Sequence, residues 1–124
     1  MKVAIVGCGL IGQKRARTLG GEARLAWCVD SDAARARALA SGSEGCRSGT
    51  DLREALGDDV SAVVVATSHD ALAKVTAAAI ESGKHVLVEK PAARHVDELR
   101  ELQAAADRKG VRVHVGFNHR RDFA

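Results

Sequence analysis

Hydrophobic residues occur along the chain in short apolar runs, which alternate with longer segments where apolar positions recur every three or four residues. A short β-branched run closed by glycine or a polar residue is typical of a buried strand, and the wider spacing predicts amphipathic helices. Strands are predicted at residues 2–6, 24–29, 62–66, 85–88 and 112–115, with a very short strand at 46–47. Helices are predicted at residues 10–19, 32–41, 69–82 and 96–109, with a short helix that Gly57 ends. Ser31 or Asp32 is expected to cap the second of these helices, and Thr50 the short one.

This alternation of strands and helices predicts an α/β fold. Right-handed crossovers between parallel strands place helices on both faces, so we expect a doubly wound, mostly parallel sheet and three layers in all. Ligands of such sheets bind beyond the carboxyl ends of the strands, near the point where the strand order reverses. Candidate site residues are therefore sought directly after the strands, at 7–12, 30–32, 67–69, 89–91 and 116–120.

Composition and charge narrow the classes of function. The chain has 124 residues, which fits one domain, and a net charge of +3 from 19 basic and 16 acidic residues. The basic residues are spread among acidic ones with no interleaved aromatics, so no nucleic-acid partner is expected. The first apolar run is too short for a membrane span or a signal-peptide core. Cys8, Cys28 and Cys46 form no C-x-x-C pair or tight cluster with histidine, which predicts no metal site and a reduced, cytoplasmic setting.

A glycine motif follows the first predicted strand and opens the first predicted helix. Its sequence, Gly7-Cys8-Gly9-Leu10-Ile11-Gly12, has the G-x-G-x-x-G spacing of a dinucleotide-binding loop. The three glycines would allow a tight turn, the approach of a pyrophosphate and close packing of helix on strand, while Leu10 and Ile11 begin the helix. A glycine-rich turn without a ligand is the alternative interpretation. A class I methyltransferase is disfavoured, because Val6 stands where an acidic residue is common and the third glycine comes one position late.

An acidic residue ends the second predicted strand. Asp30 lies 18 residues beyond Gly12, where a carboxylate is expected to accept hydrogen bonds from the adenosine ribose, with Ser31 beside it. A carboxylate there repels a 2′-phosphate, so the cofactor predicted is NAD, with NADP less favoured. The other interpretation is that Asp30 caps the following helix, although Ser31 or Asp32 can do so instead.

The segment that contains the predicted strand 85–88 indicates a family. Residues 83–91, Gly-Lys-His-Val-Leu-Val-Glu-Lys-Pro, resemble the G-K-H-V-x-x-E-K-P signature of the Gfo/Idh/MocA oxidoreductases, which include glucose–fructose oxidoreductase and inositol dehydrogenase. The glycine motif, Asp30, Ala66-Thr67 and Gly116-Phe117-Asn118 agree with this resemblance, which covers nearly the whole chain. It implies a Rossmann domain of an NAD(P)-dependent dehydrogenase that acts on sugars or cyclitols, nucleotide sugars included.

The resemblance also implies roles for individual residues. Lys90 would be the catalytic residue, near the substrate hydroxyl, and Glu89 would lie near the nicotinamide ribose. Thr67 and Ser68 would line the cofactor cleft. The sequence departs from the family pattern at His69, because many members have Thr-Pro-Asn after this strand. His69 could contact the cofactor or simply begin the helix.

The family's second, substrate-binding domain is not expected within residues 1–124, which we interpret as the dinucleotide-binding domain alone. We expect this domain to bind the dinucleotide cofactor by itself, to meet a sugar-like substrate only together with the second domain, and to be inactive without that domain. A stand-alone NAD-binding sensor or scaffold is the alternative. Segment 116–124, with Phe117 and Phe123, is expected to form a homodimer contact; the alternative is a monomer in which this tail folds back over the cleft or is disordered.

Overall fold

The computed structural model describes residues 1–57, 59–89 and 96–115 and places six strands and four α-helices in them. The strands are β1 (Lys2–Val6), β2 (Arg24–Val29), β3 (Arg47–Gly49), β4 (Ala62–Val65), β5 (His85–Val88) and β6 (Val113–Val115). The α-helices are α1 (Leu10–Thr18), α2 (Ala33–Ala40), α3 (His69–Glu81) and α4 (Val96–Lys109), and a 3₁₀ helix spans Leu52–Leu56.

The six strands form one parallel sheet in the order β3-β2-β1-β4-β5-β6. The order reverses between β1 and β4, which pair directly from Val3 and Ala62 to Val6 and Val65. This is the strand order of a doubly wound, Rossmann-type sheet, so the predicted fold class is confirmed. The carboxyl ends of β1 and β4 therefore define the edge where a ligand is expected.

Apolar side chains cover both faces of the sheet, as an interior parallel sheet requires. On one face, Val63, Val65 and Val86 pack with Ile80 of α3 and Ala106 of α4. On the opposite face, the core joins Val3, Ile5 and Val64 of the sheet to small residues of α1 and α2. The three layers predicted from the sequence are confirmed by these two clusters.

Helix ends follow the capping chemistry with one change from expectation. Asp32 caps α2, because its Oδ1 atom accepts from the N–H groups of Ala34 and Arg35 at 2.9 and 3.4 Å. The 3₁₀ helix is capped by Asp51 rather than Thr50, through a bond of 3.0 Å from the Arg53 N–H to Oδ1. Thr50 was expected to form this cap, but both residues are good caps and the helix begins one residue later than predicted.

The described helices include none long and apolar enough to cross a membrane. The same part of the chain holds no group of three or more histidine, cysteine, aspartate or glutamate side chains arranged to bind a metal ion.

Candidate cofactor-binding site

A cleft of about 430 Å³ lies at the carboxyl edge of the sheet, over the point where the strand order reverses. It gathers six of the residues predicted from the sequence: Gly7, Gly9, Asp30, Ser31, Thr67 and Ser68. Its walls also contain residues that the sequence analysis missed: Arg35, Thr50, Leu52, Ala71 and Val75. These come from the 3₁₀-helix region and from the sides of α2 and α3, where no motif marks them.

Gly7 and Gly12 make the glycine loop compact. Gly7 has φ of +100°, which disfavours any side chain, and a Cβ at this position would overlap the Ala66 carbonyl. A Cβ at Gly12 would overlap the Gly7 carbonyl oxygen. The loop consequently lies against the end of β4 on one side and against its own helix on the other.

Gly9 has a different role, because its surroundings are open. No heavy atom outside its chain neighbours lies within 4 Å of a Cβ built there. It is the N-cap of α1, which carries no side-chain cap and no acidic residue in its first turn. The first N–H groups of a helix lack intrahelical acceptors, so this helix start fits an anionic group such as a pyrophosphate.

Leu10 and Ile11, which begin α1, are 82% and 47% exposed and do not line the cleft itself. Gly12 is buried beneath the loop rather than open to the cleft. These three residues therefore shape the start of the helix, while the open face of the loop is Gly7 and Gly9.

Asp30 is held at the end of β2 by backbone groups. Its Oδ2 atom accepts from the Cys8 N–H at 2.7 Å, and its Oδ1 atom accepts from the Asp32 N–H at 2.8 Å. Its own N–H donates to the Gly49 carbonyl of β3 at 3.2 Å. Each carboxylate oxygen can accept a second hydrogen bond, so Asp30 fits the hydroxyls of a ribose beside the glycine loop.

Thr67 and Ser68 form the opposite lip of the cleft. Thr67 is half-buried and Ser68 is exposed as the N-cap of α3, with no side-chain cap bond. His69 is the first residue of α3, and because its side chain lies outside the described residues, its contact with the cofactor stays a prediction. Lys90, the predicted catalytic residue, and segment 116–124 also lie outside them.

Glu89 lies beside α1, paired with an arginine. Its carboxylate accepts from Arg15 Nε at 2.5 Å and from Arg15 Nη2 at 3.2 Å. The side chains of Arg15 and Glu89 are 6% and 15% exposed, and neither residue lines the cleft. Sequence reasoning missed Arg15, although it stands three residues after Gly12, on the same buried face of the helix.

The thiols of Cys8, Cys28 and Cys46 belong to the same apolar cluster on one face of the sheet. Cys28 Sγ lies 3.7 Å from Cys46 Sγ, and Cys8 Sγ lies 3.5 Å from the Val29 carbonyl. Interaction between the Cys8 and Cys28 thiols lowers the pKa of Cys8 and, together with burial, raises the pKa of Cys28. Burial raises the pKa of Cys46. All three are free cysteines.

The strand order, the glycine loop and the carboxylate after β2 together define a dinucleotide-binding Rossmann domain. The family model GFO_IDH_MocA, described as an oxidoreductase family with an NAD-binding Rossmann fold, matches residues 1–117. The chain therefore belongs to this family of NAD(P)-dependent oxidoreductases, as the resemblance predicted.

Curated relatives match this chain over part of their own length. Inositol 2-dehydrogenase 2 of Saccharopolyspora erythraea is 36% identical over 127 residues, which cover 98% of this chain and 38% of that protein. The 1,5-anhydro-D-fructose reductase of Ensifer adhaerens is 39% identical over 104 residues, covering 83% of this chain and 30% of that protein. The chain thus spans less than two fifths of the length of these relatives.

Two solved structures superpose on nearly the whole of this chain. GenD2 from gentamicin A biosynthesis, solved in complex with NAD, superposes with a TM-score of 0.90 at 39% identity, over 94% of this chain and 34% of that one. A putative myo-inositol dehydrogenase from Sinorhizobium meliloti superposes with a TM-score of 0.86 at 28% identity, over 97% of this chain and 37% of that one.

Proposed function

We propose that this chain is the cofactor domain of an oxidoreductase that transfers hydride between a carbinol carbon of a sugar or cyclitol and NAD. The observation that carries the proposal is that Glu89 and the glycine loop follow β5 and β1 at the same edge of the sheet, with β4 between them. Glu89, the first residue of the Glu-Lys-Pro sequence, therefore lies at the same edge of the sheet as the glycine loop, although it does not line the cleft itself. The inositol dehydrogenases among the relatives support the substrate class.

Bound NAD would accept the hydride that leaves the carbinol carbon. The hydroxyl proton of the same carbinol must leave as the carbonyl forms, and a neutral amine can accept it. We assign this proton transfer to Lys90, which directly follows Glu89 in the chain. The glycine loop and Asp30 would hold the dinucleotide. Cofactor binding would thus be carried out by residues that follow β1 and β2, and proton transfer by a residue that follows β5.

We propose NAD rather than NADP as the preferred cofactor. Asp30 keeps its carboxylate next to the loop through two backbone N–H groups, and this supports ribose recognition by that side chain. A 2′-phosphate would bring negative charge against the same carboxylate, which disfavours the phosphorylated cofactor.

We also propose that the chain forms a homodimer through segment 116–124. Phe117 and Phe123 give this segment apolar side chains that a second copy can cover, and two-fold pairing is the common form of such contacts. Light scattering across a wide concentration range should show a rising mass, which deletion of residues 117–124 should abolish. A constant monomer mass would contradict the homodimer.

The enzymatic part of the proposal is tested with a chimera. This chain replaces the matching first part of the Saccharopolyspora erythraea inositol 2-dehydrogenase 2, and NADH formation from cyclitols and sugars is followed by absorbance. We expect the isolated chain to bind NADH without turnover and the chimera to produce NADH. Lys90→Ala should abolish turnover by the chimera, and Lys74→Ala, on the exposed side of α3, should not.

The outcomes separate the two candidate functions. A chimera that binds NADH but oxidises nothing in the panel would contradict the dehydrogenase and favour an NAD-binding sensor. A chain that binds neither NADH nor NADPH would contradict the cofactor domain itself.

A further inference from the structure

The thiols of Cys28 and Cys46 lie close together beside the edge strand β3. Their Sγ atoms are 3.7 Å apart, although the residues are 18 positions apart in sequence. A disulfide has a sulfur–sulfur distance of about 2.05 Å, so the two atoms have to approach by about 1.7 Å. Both residues are free cysteines, which leaves the two sulfurs available to each other.

The positions of the two residues allow this approach while the sheet stays paired. Cys28 lies within β2, between Ile5 of β1 and Ser48 of β3, so its backbone is fixed on both sides. Cys46 directly precedes β3, in a turn where its N–H donates to the Ser43 carbonyl at 3.2 Å. The movement therefore falls to Cys46 and the turn before it.

The two sulfurs differ in their access to solution. Cys46 is partly exposed, whereas Cys28 is 0% exposed. An oxidant from solution therefore reaches Cys46 first, and Cys28 is placed to react with the oxidised sulfur. Cys8, the third thiol of the cluster, is 1% exposed and is shielded from the oxidant in the same way as Cys28.

We infer that Cys46 and Cys28 form an oxidation site for peroxides, in which Cys46 is oxidised and Cys28 converts the product to a disulfide. In the first step, the Cys46 thiol takes one oxygen atom from hydrogen peroxide, becomes a sulfenic acid and releases water. In the second step, the Cys28 sulfur bonds to the Cys46 sulfur, and the sulfenic hydroxyl leaves with the Cys28 proton as water. The two thiols together lose two electrons and two protons, and one peroxide is reduced to two molecules of water.

The disulfide has two consequences for the molecule. It covalently joins the turn before β3, a three-residue strand at the edge of the sheet, to the neighbouring strand β2. Because it closes a loop that contains α2, it restricts the unfolded chain and favours the folded one. Thiols can reduce the disulfide again, whereas the sulfinic acid formed by an unpaired cysteine is irreversible, so Cys28 protects Cys46 from permanent oxidation.

The test treats the reduced 124-residue chain with hydrogen peroxide at low protein concentration, blocks the remaining thiols with iodoacetamide in urea and maps the peptides by mass spectrometry without reduction. A pH of about 8.5 is used, because burial raises the pKa of Cys46 and the thiolate is the species that reacts. We expect one cross-linked peptide that joins Cys28 to Cys46, with Cys8 blocked by iodoacetamide. Dithiothreitol should remove the cross-link, and the oxidised chain should unfold at a higher urea concentration than the reduced chain.

Three variants assign a role to each thiol. Cys28→Ala removes the thiol that resolves the sulfenic acid, so Cys46 should be oxidised further to the sulfinic acid. Cys46→Ala removes the exposed sulfur, so no cross-link should form and Cys28 should stay reduced. Cys8→Ala is the matched control, because it removes another buried thiol of the same cluster and should leave the cross-link intact. Circular dichroism verifies the fold of each variant.

Oxidation of the chain in urea shows whether the fold selects the pair, since an unfolded chain should give a mixture of pairings. The same mixture from the folded chain would overturn the inference. Sulfinic acid at Cys46 in the wild type with Cys28 reduced would also overturn it, as would a chain that stays reduced under conditions in which iodoacetamide alkylates Cys46. A cross-linked chain that unfolds at the same or a lower urea concentration would overturn the stabilising effect alone. The assay uses no cofactor, so its result is independent of the proposed function.

Discussion

The backbone N–H of Cys8 donates to the carboxylate of Asp30 at 2.7 Å, which joins the glycine loop to the end of β2. The two residues are 22 positions apart in sequence. Asp30 is therefore both a candidate ribose ligand and a support for the loop, and substitutions at Asp30 should affect the cofactor in two ways.

Asp30→Ala should weaken NADH binding by about tenfold or more, because it removes a charged hydrogen-bond acceptor worth about 1.5–3 kcal/mol. It should also narrow the preference over NADPH, since the repulsion of the 2′-phosphate is lost. Titration calorimetry with both cofactors measures the two effects. Asp32→Asn is the matched control, because asparagine also caps helices well and Asp32 does not line the cleft. Equal or tighter binding of NADPH by the wild type would contradict the role given to Asp30.

Alanine at three glycines should give three different results. Gly9→Ala should fold normally yet bind NADH poorly, because its Cβ enters the open space over the helix start. Gly12→Ala should destabilise the fold by about 1–3 kcal/mol, because its Cβ overlaps the Gly7 carbonyl. Gly20→Ala, at an open position outside the cleft, should change neither NADH binding nor the stability of the fold. Urea unfolding and NADH fluorescence distinguish these cases, and unimpaired binding by Gly9→Ala would argue against a pyrophosphate at this loop.

Thr76→Val should leave the free energy of unfolding unchanged or raise it by about 1 kcal/mol. Thr76 is fully buried in α3, and its hydroxyl has no hydrogen-bond partner within the described structure. Replacing an unpaired buried hydroxyl by a methyl group of similar shape removes a desolvation cost. Thr18→Val is the control. The Thr18 hydroxyl donates to the Arg15 carbonyl at 2.9 Å, so its loss should lower the free energy of unfolding. A clear loss of stability in Thr76→Val, measured in urea, would show that this hydroxyl has a partner.

The thiols should react in a defined order with iodoacetamide. Cys46 is partly exposed and should be alkylated first. Cys8 and Cys28 are buried and should be alkylated only when the protein unfolds. Burial raises the pKa of Cys46, so its thiolate fraction at pH 8 is lower than that of a free cysteine and its alkylation should be slower. The rate should keep rising as the pH passes 9.0, the ordinary value for the thiol. Peptide mass spectrometry over time follows each site, and simultaneous alkylation of all three would contradict this order.

Local sequence patterns were sufficient to predict much of the fold. The runs that became β1 and β5 end at Gly7 and Glu89, where polar or flexible residues replace apolar ones, so their limits were clear. The strand at 46–47 was displaced to Arg47–Gly49, because its position depends on pairing with Trp27 and Val29 in β2 rather than on its own composition.

The same distinction holds for the candidate site. Asp30 and the glycines could be predicted as cofactor-binding residues, because their positions directly after predicted strands are typical of dinucleotide-binding sites. The pairing of Arg15 with Glu89 could not, since an arginine in a helix is most often solvated and its partner lies 74 residues away. Likewise, the contact between Cys28 and Cys46 depends on the neighbouring positions of β2 and β3.

The close approach of Gly7 to Ala66 has a consequence for the order of events during synthesis on the ribosome. The glycine loop is completed by the end of β4, although β1, β2 and β3 are all translated before it. A nascent chain that has emerged only as far as Leu56 lacks β4, so β1 has no neighbour on that side and the loop has no wall to close against. NAD in the cell can therefore stabilise the growing chain only after Ala66 has left the exit tunnel, and the earlier segment must avoid aggregation without help from its ligand.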